Sequence, residues 1–160
     1  MVIMKFGGTS LGDAERMKGV VEIVRRMRER DPQIVVVCSA MGGTTDKLIE
    51  MSRLAQVGDE QYLVLLSEMK ARHLACTSEL FSSSIQESVA LHLASQFQSL
   101  SEILRGIFLI QECTVRSRDL VMSYGERLST FVVCEALRAV EPDTVMLDTR
   151  FVVKTDDCFG

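Results

Sequence analysis

The stretch VIMKFGGTS at residues 2–10 decides the fold of this chain. Residues Val2–Phe6 predict a short strand, and Gly7 and Gly8 end it. Apolar residues at helical spacing then predict a helix from about Asp13 to Arg30. A strand that turns through glycines into a helix is the first half of the strand–helix–strand unit of a parallel sheet.

The second half of that unit follows a proline. Asp31-Pro32 ends the helix, because the residue before a proline is pushed out of the α region. The run IVVVC at residues 34–38 is continuously apolar, which is typical of a strand buried on both faces. It predicts a second strand parallel to the first and beside it.

The start of the helix also has a sequence signal. Residues 10–13 have the S-x-x-D form of a capping box, so we expect the helix to start within a residue or two of Ser10.

The rest of the chain predicts mostly helix. An apolar stripe at residues 89, 93, 97, 100, 104 and 108 marks one long helix. Glu141-Pro142 ends the last helix, and Thr144–Leu147 follows as a further strand. The four additional helices cover about residues 45–57, 60–80, 85–110 and 118–140. The sequence therefore predicts one α/β domain over residues 1–160.

The composition is that of a folded protein with a sizeable core. The chain has 160 residues, 47% hydrophobic and 25% charged, with a net charge of −4. That charge gives no electrostatic footprint for nucleic acid or for an anionic membrane surface, so neither is expected as a partner. No apolar run approaches the roughly 20 residues that a membrane span requires.

The cysteines and histidines predict neither disulfides nor a metal site. Five cysteines with no C-x-x-C pair and no leader-like start indicate a reduced, cytoplasmic protein. His73 and His92 stand apart from any cysteine cluster and are interpreted as structural or surface residues. Asp156 and Asp157 could bind a metal, but paired aspartates in a loop are more often turn formers, so no metal site is predicted.

Lys5 and the glycines after it have the elements of a phosphate site. Two adjacent glycines let backbone N–H groups approach an anion closely. The start of the following helix adds partial positive charge, and Lys5 adds a full one. The alternative is a tight turn beside a surface lysine. The stretch matches neither the P-loop nor the dinucleotide-binding glycine motif.

Four blocks of the sequence resemble the aspartokinases of the amino acid kinase family. They are KFGGTS at residues 5–10, VVCSAMGGTTD at 36–46, SRD with SYGERLS at 117–119 and 123–129, and TDDCFG at 155–160. The helices between the blocks match only in length and pattern. The resemblance implies a three-layer α/β/α fold with an open, mainly parallel sheet, of which residues 1–160 are the helix-rich N-terminal lobe.

The resemblance also implies an activity. An aspartate kinase transfers the γ-phosphate of ATP, bound with Mg²⁺, to the side-chain carboxylate of L-aspartate. The product, 4-phospho-L-aspartate, leads to lysine, threonine and methionine. The family's nucleotide lobe and regulatory domains are not recognisable here, so the chain is interpreted as a fragment that is inactive alone. Its parent is expected to be a homo-oligomer, either monofunctional or fused to homoserine dehydrogenase.

The resemblance assigns roles to individual residues. Lys5 would be the catalytic cation. The ATP phosphates would be bound by Lys5, Gly7, Gly8, Thr9, Ser10 and Ser39, and aspartate by Thr45, Glu126, Phe159 and Gly160. Judged from the residues alone, Glu126 can also be an exposed glutamate paired with Arg127 or Arg118, and Thr45 can simply cap a helix.

Two other functions remain open at this point. The chain could belong to another amino acid kinase, acting on glutamate, acetylglutamate or a nucleotide, although KFGGTS together with SYGE favours aspartate. It could instead be a non-catalytic module that binds a small molecule on the same half-fold. Continuation of the reading frame into a nucleotide lobe would favour an enzyme over such a module.

Overall fold

The computed structural model describes residues 1–155. Five helices and two strands make up most of this range. In chain order they are β1 (Val2–Phe6), a 3-10 turn (Gly8–Leu11), α1 (Ala14–Arg28), β2 (Ile34–Cys38), α2 (Thr44–Gln56), α3 (Gln61–Leu80), α4 (Ser83–Ile110), α5 (Val115–Arg138) and a second 3-10 turn (Thr149–Phe151).

The two strands pair in parallel, with α1 as the crossover between them. Val2 lies opposite Ile34, and Phe6 lies opposite Cys38, so both strands end at the same level. The predicted strand–helix–strand unit is therefore confirmed. Its two carboxyl ends lie side by side, and the loops that follow them are neighbours.

Only one face of this sheet is covered within residues 1–155. Met4, Val36 and Cys38 pack against the hydrophobic core. On the other face, Ile3 is 65% exposed and Val37 is 43% exposed. The prediction of a second strand buried on both faces is therefore wrong for the described residues, because their helices pack on one side of the sheet only.

The start of α1 differs from the capping box that the sequence suggested. Asp13, not Ser10, is the N-cap, and its carboxylate accepts a hydrogen bond from the Arg16 N–H at 2.9 Å. The Ser10 N–H instead donates to the Gly7 carbonyl at 2.9 Å, which closes the 3-10 turn that precedes the helix. In a capping box the Ser10 N–H would donate to the Asp13 side chain, but in this turn it already donates to Gly7.

The helices supply most of the core. The predicted stripe of α4 is buried from Val89 to Leu104. Beyond it Ile107 is buried, whereas Phe108 is only half-buried.

The helix α5 starts three residues earlier than predicted. The Thr114 hydroxyl accepts a hydrogen bond from the Ser117 N–H at 3.1 Å and so caps the helix.

Both histidines have structural surroundings, as the sequence indicated. The Nδ1 of His73 donates to the Met69 carbonyl at 2.8 Å, and its ring meets Phe97 edge-on. Burial lowers the pKa of His73, which keeps the ring neutral near pH 7. His92 stacks on Phe131, with ring centroids 3.8 Å apart.

The predicted strand at Thr144–Leu147 does not form. This segment has no strand pairing, and Val145 is 83% exposed. A strand is stable only when its backbone groups are hydrogen-bonded to a neighbour. The segment and β2 both line a cavity of about 690 Å³, so the nearest strand lies across open space.

Two further observations concern the described range as a whole. None of its helices is long and apolar enough to cross a membrane. Its four cysteines are free thiols, and residues 1–155 hold no group of three or more His, Cys, Asp and Glu side chains arranged for a metal ion.

Candidate functional site

Two glycine-containing loops meet at the carboxyl ends of the strands. We call residues 7–12, after β1, the first glycine loop, and residues 39–43, after β2, the second glycine loop. The Gly42 N–H donates to the Gly8 carbonyl at 3.0 Å, which joins them directly. In open α/β sheets ligands bind outside the carboxyl ends of the strands, so this is the expected place for a site.

Close backbone contact explains one of the glycines. A Cβ on Gly8 would lie 2.8 Å from the Ala40 carbonyl oxygen and 3.3 Å from the Gly42 backbone. No side chain fits there without moving one loop away from the other. By contrast, a Cβ on Gly7 would have no atom within 4 Å, so the backbone at Gly7 borders open space.

The helix α5 packs onto the second glycine loop through three residues of one helical turn. A Glu126 carboxylate oxygen accepts a hydrogen bond from the Ala40 N–H at 3.3 Å. The Ser129 hydroxyl donates to the Ser39 carbonyl at 2.6 Å. A Cβ on Gly125 would lie 2.8 Å from the Ala40 Cβ, so the absence of a side chain lets the helix approach the loop.

The start of α2 lies beside this contact. Gly43 is the N-cap in a left-handed conformation with φ of 78°, and no side chain caps the helix. Thr45 lies in the first turn, so the alternative that it simply caps the helix is excluded. Thr44 is 1% exposed, and its hydroxyl has no hydrogen-bond partner among the described residues.

Positive side chains lie close to both loops, beside the carboxylates of Asp13 and Glu126. Lys5 is exposed on β1, opposite Val37 and two residues before the first glycine loop. Arg72 of α3 donates to the carbonyls of Gly12 and Gly42 at 2.8 and 2.7 Å.

Cys38, the last residue of β2, is not a nucleophile near pH 7. Burial of its thiol, and to a smaller extent the nearby Cys134, raises its pKa to about 11.

The residues predicted for the site gather at one end of the sheet, with two exceptions. Phe159 and Gly160 lie outside the described residues. The residues found at the carboxyl ends of β1 and β2 or beside them are Lys5, Gly7, Gly8, Thr9, Ser10, Ser39, Thr45 and Glu126. Their individual roles stay predictions.

Sequence reasoning missed three residues that build this end of the molecule. Ser129 and Thr44 lie within the matching blocks but carried no signal of their own. Arg72 lies outside all four blocks, in the middle of a helix, and it reaches partners 30 and 60 residues away. No spacing rule connects residues so far apart.

Comparisons with known proteins agree with this geometry. A family model described as the amino acid kinase family matches residues 1–157. The chloroplastic aspartokinase 1 of Arabidopsis thaliana is 36% identical over 160 residues, covering 97% of this chain and 27% of that relative. The chloroplastic bifunctional aspartokinase/homoserine dehydrogenase 2 of the same plant is 28% identical, covering 94% of this chain and 16% of that relative.

Solved structures give the same picture of the fold. Aspartokinase III of E. coli in complex with aspartate and ADP (R-state) matches with a TM-score of 0.85 at 25% identity. The same enzyme with lysine and aspartate (T-state) matches with a TM-score of 0.83. Both matches cover all of this chain and 34% of the other, so the helix-rich α/β fold is that of the N-terminal part of aspartokinase.

Proposed function

Because the chain belongs to the amino acid kinase family, we propose that it is the aspartate-binding part of an aspartate kinase. Such an enzyme transfers the γ-phosphate of ATP to the side-chain carboxylate of L-aspartate, giving 4-phospho-L-aspartate for lysine, threonine and methionine synthesis. The observation that carries the proposal is the contact between Glu126 and Ala40, at 3.3 Å. It holds an exposed carboxylate beside the second glycine loop.

Glu126 is suited to bind the ammonium group of an amino acid. A carboxylate offers about four acceptor positions, and the Ala40 N–H occupies one of them. The remaining positions are open to a substrate cation, while the bond to Ala40 limits the rotation of the side chain. We propose that Thr45, in the first turn of α2, also binds aspartate. The resemblance assigns the same role to Phe159 and Gly160.

Phosphorylation of a carboxylate needs no strong base. The side chain of free aspartate has a pKa of about 3.9, so the nucleophile is already ionised near neutral pH. The obstacle is repulsion between two anions, which is overcome by positioning and by positive charge. Lys5 would lower this repulsion, and the N–H groups of the first glycine loop would help.

The open space beside Gly7 leaves its backbone accessible to an anion. No atom of the described residues lies within 4 Å of a Cβ built there, and Lys5 is exposed on the adjoining strand. ATP, bound with Mg²⁺, supplies the phosphoryl group that is transferred. In this proposal Lys5, Gly7, Gly8, Thr9, Ser10 and Ser39 hold its phosphates.

The proposal divides the enzyme between this chain and further residues. The chain spans 27% of the length of the Arabidopsis aspartokinase 1 that it matches. We therefore assign the adenine and ribose pocket to residues beyond these 160, and expect no turnover from residues 1–160 alone when the acyl phosphate is trapped as a hydroxamate. A homo-oligomeric parent and a cytoplasmic location stay predictions.

The substitution Glu126→Gln in the complete kinase tests the role of this carboxylate. It keeps the shape of the side chain and removes its charge. A hydrogen bond to a charged group contributes roughly 1.5–3 kcal/mol, so KM for aspartate should rise about tenfold or more. KM for ATP should not change. The control is Glu87→Gln, an exposed glutamate of α4, which should change neither constant.

The outcome separates the proposal from its alternatives. Unchanged aspartate kinetics would leave Glu126 with a structural role only, as the anchor of α5 on Ala40. Phosphorylation of glutamate in preference to aspartate would identify another amino acid kinase. Tight binding of aspartate with no turnover in the complete protein would identify a binding module.

A further inference from the structure

We infer that Arg72 is a positioning residue for the proposed phosphoryl transfer, because it joins the two glycine loops at the peptides that precede helices α1 and α2. This inference rests on the proposed function for its kinetic consequence. Its structural basis is independent of that function. Arg72 lies half-buried in α3, outside the four sequence blocks described above.

The two hydrogen bonds of Arg72 have equivalent positions in the two loops. One guanidinium nitrogen donates to the Gly42 carbonyl at 2.7 Å, and the other donates to the Gly12 carbonyl at 2.8 Å. Gly12 directly precedes Asp13, the N-cap of α1. Gly42 directly precedes Gly43, the N-cap of α2. The planar guanidinium of Arg72 thus holds the peptide groups that precede the N-caps of α1 and α2.

The orientation of these peptides follows from their geometry. All peptide bonds in the described residues are trans, so each N–H points opposite to the carbonyl of the preceding residue. With the Gly42 carbonyl directed at Arg72, the Gly43 N–H points away from it. That N–H has no acceptor among residues 1–155 and remains available to an anion.

The two hydrogen bonds that Arg72 donates to carbonyl oxygens stabilise the joined loops, but its charge also acts on the two helix starts beside it. Helix N-termini carry partial positive charge, so a cation beside two of them is unfavourable. No carboxylate within the described residues forms an ion pair with Arg72. When an anion binds between the loops, this repulsion is offset, because the N-termini of α1 and α2 and the Arg72 guanidinium all attract the anion.

Amide hydrogen exchange on the 160-residue chain tests the structural part without any need for activity. In Arg72→Met, exchange should become about tenfold faster at the Gly42 N–H and the Ser10 N–H, which are hydrogen-bonded within and between the loops. Arg16→Met is a one-loop comparison, since the Arg16 guanidinium donates to the Thr9 carbonyl at 2.8 Å and pairs with Asp13 at 3.4 Å, both on the side of the first glycine loop. It should affect Ser10 alone.

Arg53→Met is the matched control for the loss of an arginine. Arg53 is exposed and pairs with Glu50 on its own helix, so neither loop should change. Arg72→Lys keeps the charge but cannot bridge two carbonyls with one planar group, and should give an intermediate rate. This variant also serves if Arg72→Met does not fold.

Steady-state kinetics of the complete kinase test the catalytic consequence. Arg72→Met should lower kcat about tenfold to hundredfold and leave KM for aspartate within about threefold, because the loops are misplaced while Glu126 is retained. Added guanidinium should restore part of kcat in Arg72→Ala. A general loss of stability would lower the active fraction and would not respond to guanidinium.

Each result is decisive. Unchanged exchange in both loops would overturn the inference. Faster exchange with an unchanged kcat would overturn the catalytic part of it. Faster exchange in Arg72→Met, together with a complete wild-type protein that does not phosphorylate aspartate, would reject the proposed function, while the bridge between the loops would stand.

Discussion

The triplet Gly-Gly-Thr occurs once after each strand, and the two copies have different structures. Residues 7–9 lead into a 3-10 turn, with Gly7 at φ of −80° and Thr9 exposed. Residues 42–44 enter α2 directly, with Gly43 at φ of 78° and Thr44 buried. The same three residues therefore follow two parallel strands without sharing a conformation.

The difference shows that glycine is required for different reasons in the two copies. Gly8 is required because the Ala40 carbonyl lies where its side chain would be. Gly43 has no neighbour within 4 Å of its Cβ position, and it is required for its left-handed backbone. Gly7 is required for neither reason. Substitution by alanine at each position separates these cases.

Gly8→Ala should have the largest effect. Its Cβ would lie 2.8 Å from a backbone oxygen, so one loop must move and the Gly42–Gly8 hydrogen bond must lengthen. Overpacking of this kind costs about 1–3 kcal/mol, measured as the free energy of unfolding in urea. Gly19→Ala, in open space within α1, is the control and should not destabilise. Equal stabilities would show that the loops are not in close contact.

Gly43→Ala should have an intermediate effect. The left-handed conformation costs a residue with a side chain about 1–2 kcal/mol, and no clash is added to that. Gly43→Asn should be less destabilising, because asparagine tolerates this conformation better. If alanine and asparagine destabilised the chain equally, the cause would be lost space and not backbone strain.

Gly7→Ala should have the smallest effect on folding. Its φ of −80° is open to any residue and its side chain would meet nothing, so the free energy of unfolding should change by less than about 0.5 kcal/mol. In the complete kinase, however, the added methyl group would occupy the proposed phosphate space, and KM for ATP should rise. A stable variant with unchanged KM for ATP would remove Gly7 from the proposed site.

Much of the structure at the carboxyl ends of β1 and β2 could be predicted from the sequence. The bounds of both strands and their parallel pairing follow from short apolar runs beside glycine and proline. The predicted loops are where Gly8 meets Gly42, and Glu126 lies next to one of them. The strands and loops could be predicted because local residue chemistry determines them, whereas the position of Glu126 was predicted only from the family resemblance.

The remaining features depended on contacts between distant parts of the chain. Thr144–Leu147 has a strand-like composition, but its backbone finds no partner strand in the described residues. Ser10 has the right spacing for a cap, but it lies within the first 3-10 turn, where its N–H donates to the Gly7 carbonyl. Arg72 carried no signal, since its role exists only once α3 lies against both loops.

The packing of α5 on the second glycine loop has a consequence for the order of folding. The Glu126–Ala40 and Ser129–Ser39 contacts join residues 86 and 90 positions apart. During synthesis both strands and both loops leave the ribosome well before α5 is complete. We therefore expect the sheet to form first, and the carboxylate proposed to bind the amino group to arrive last, so that this pocket is a late product of folding and not its nucleus.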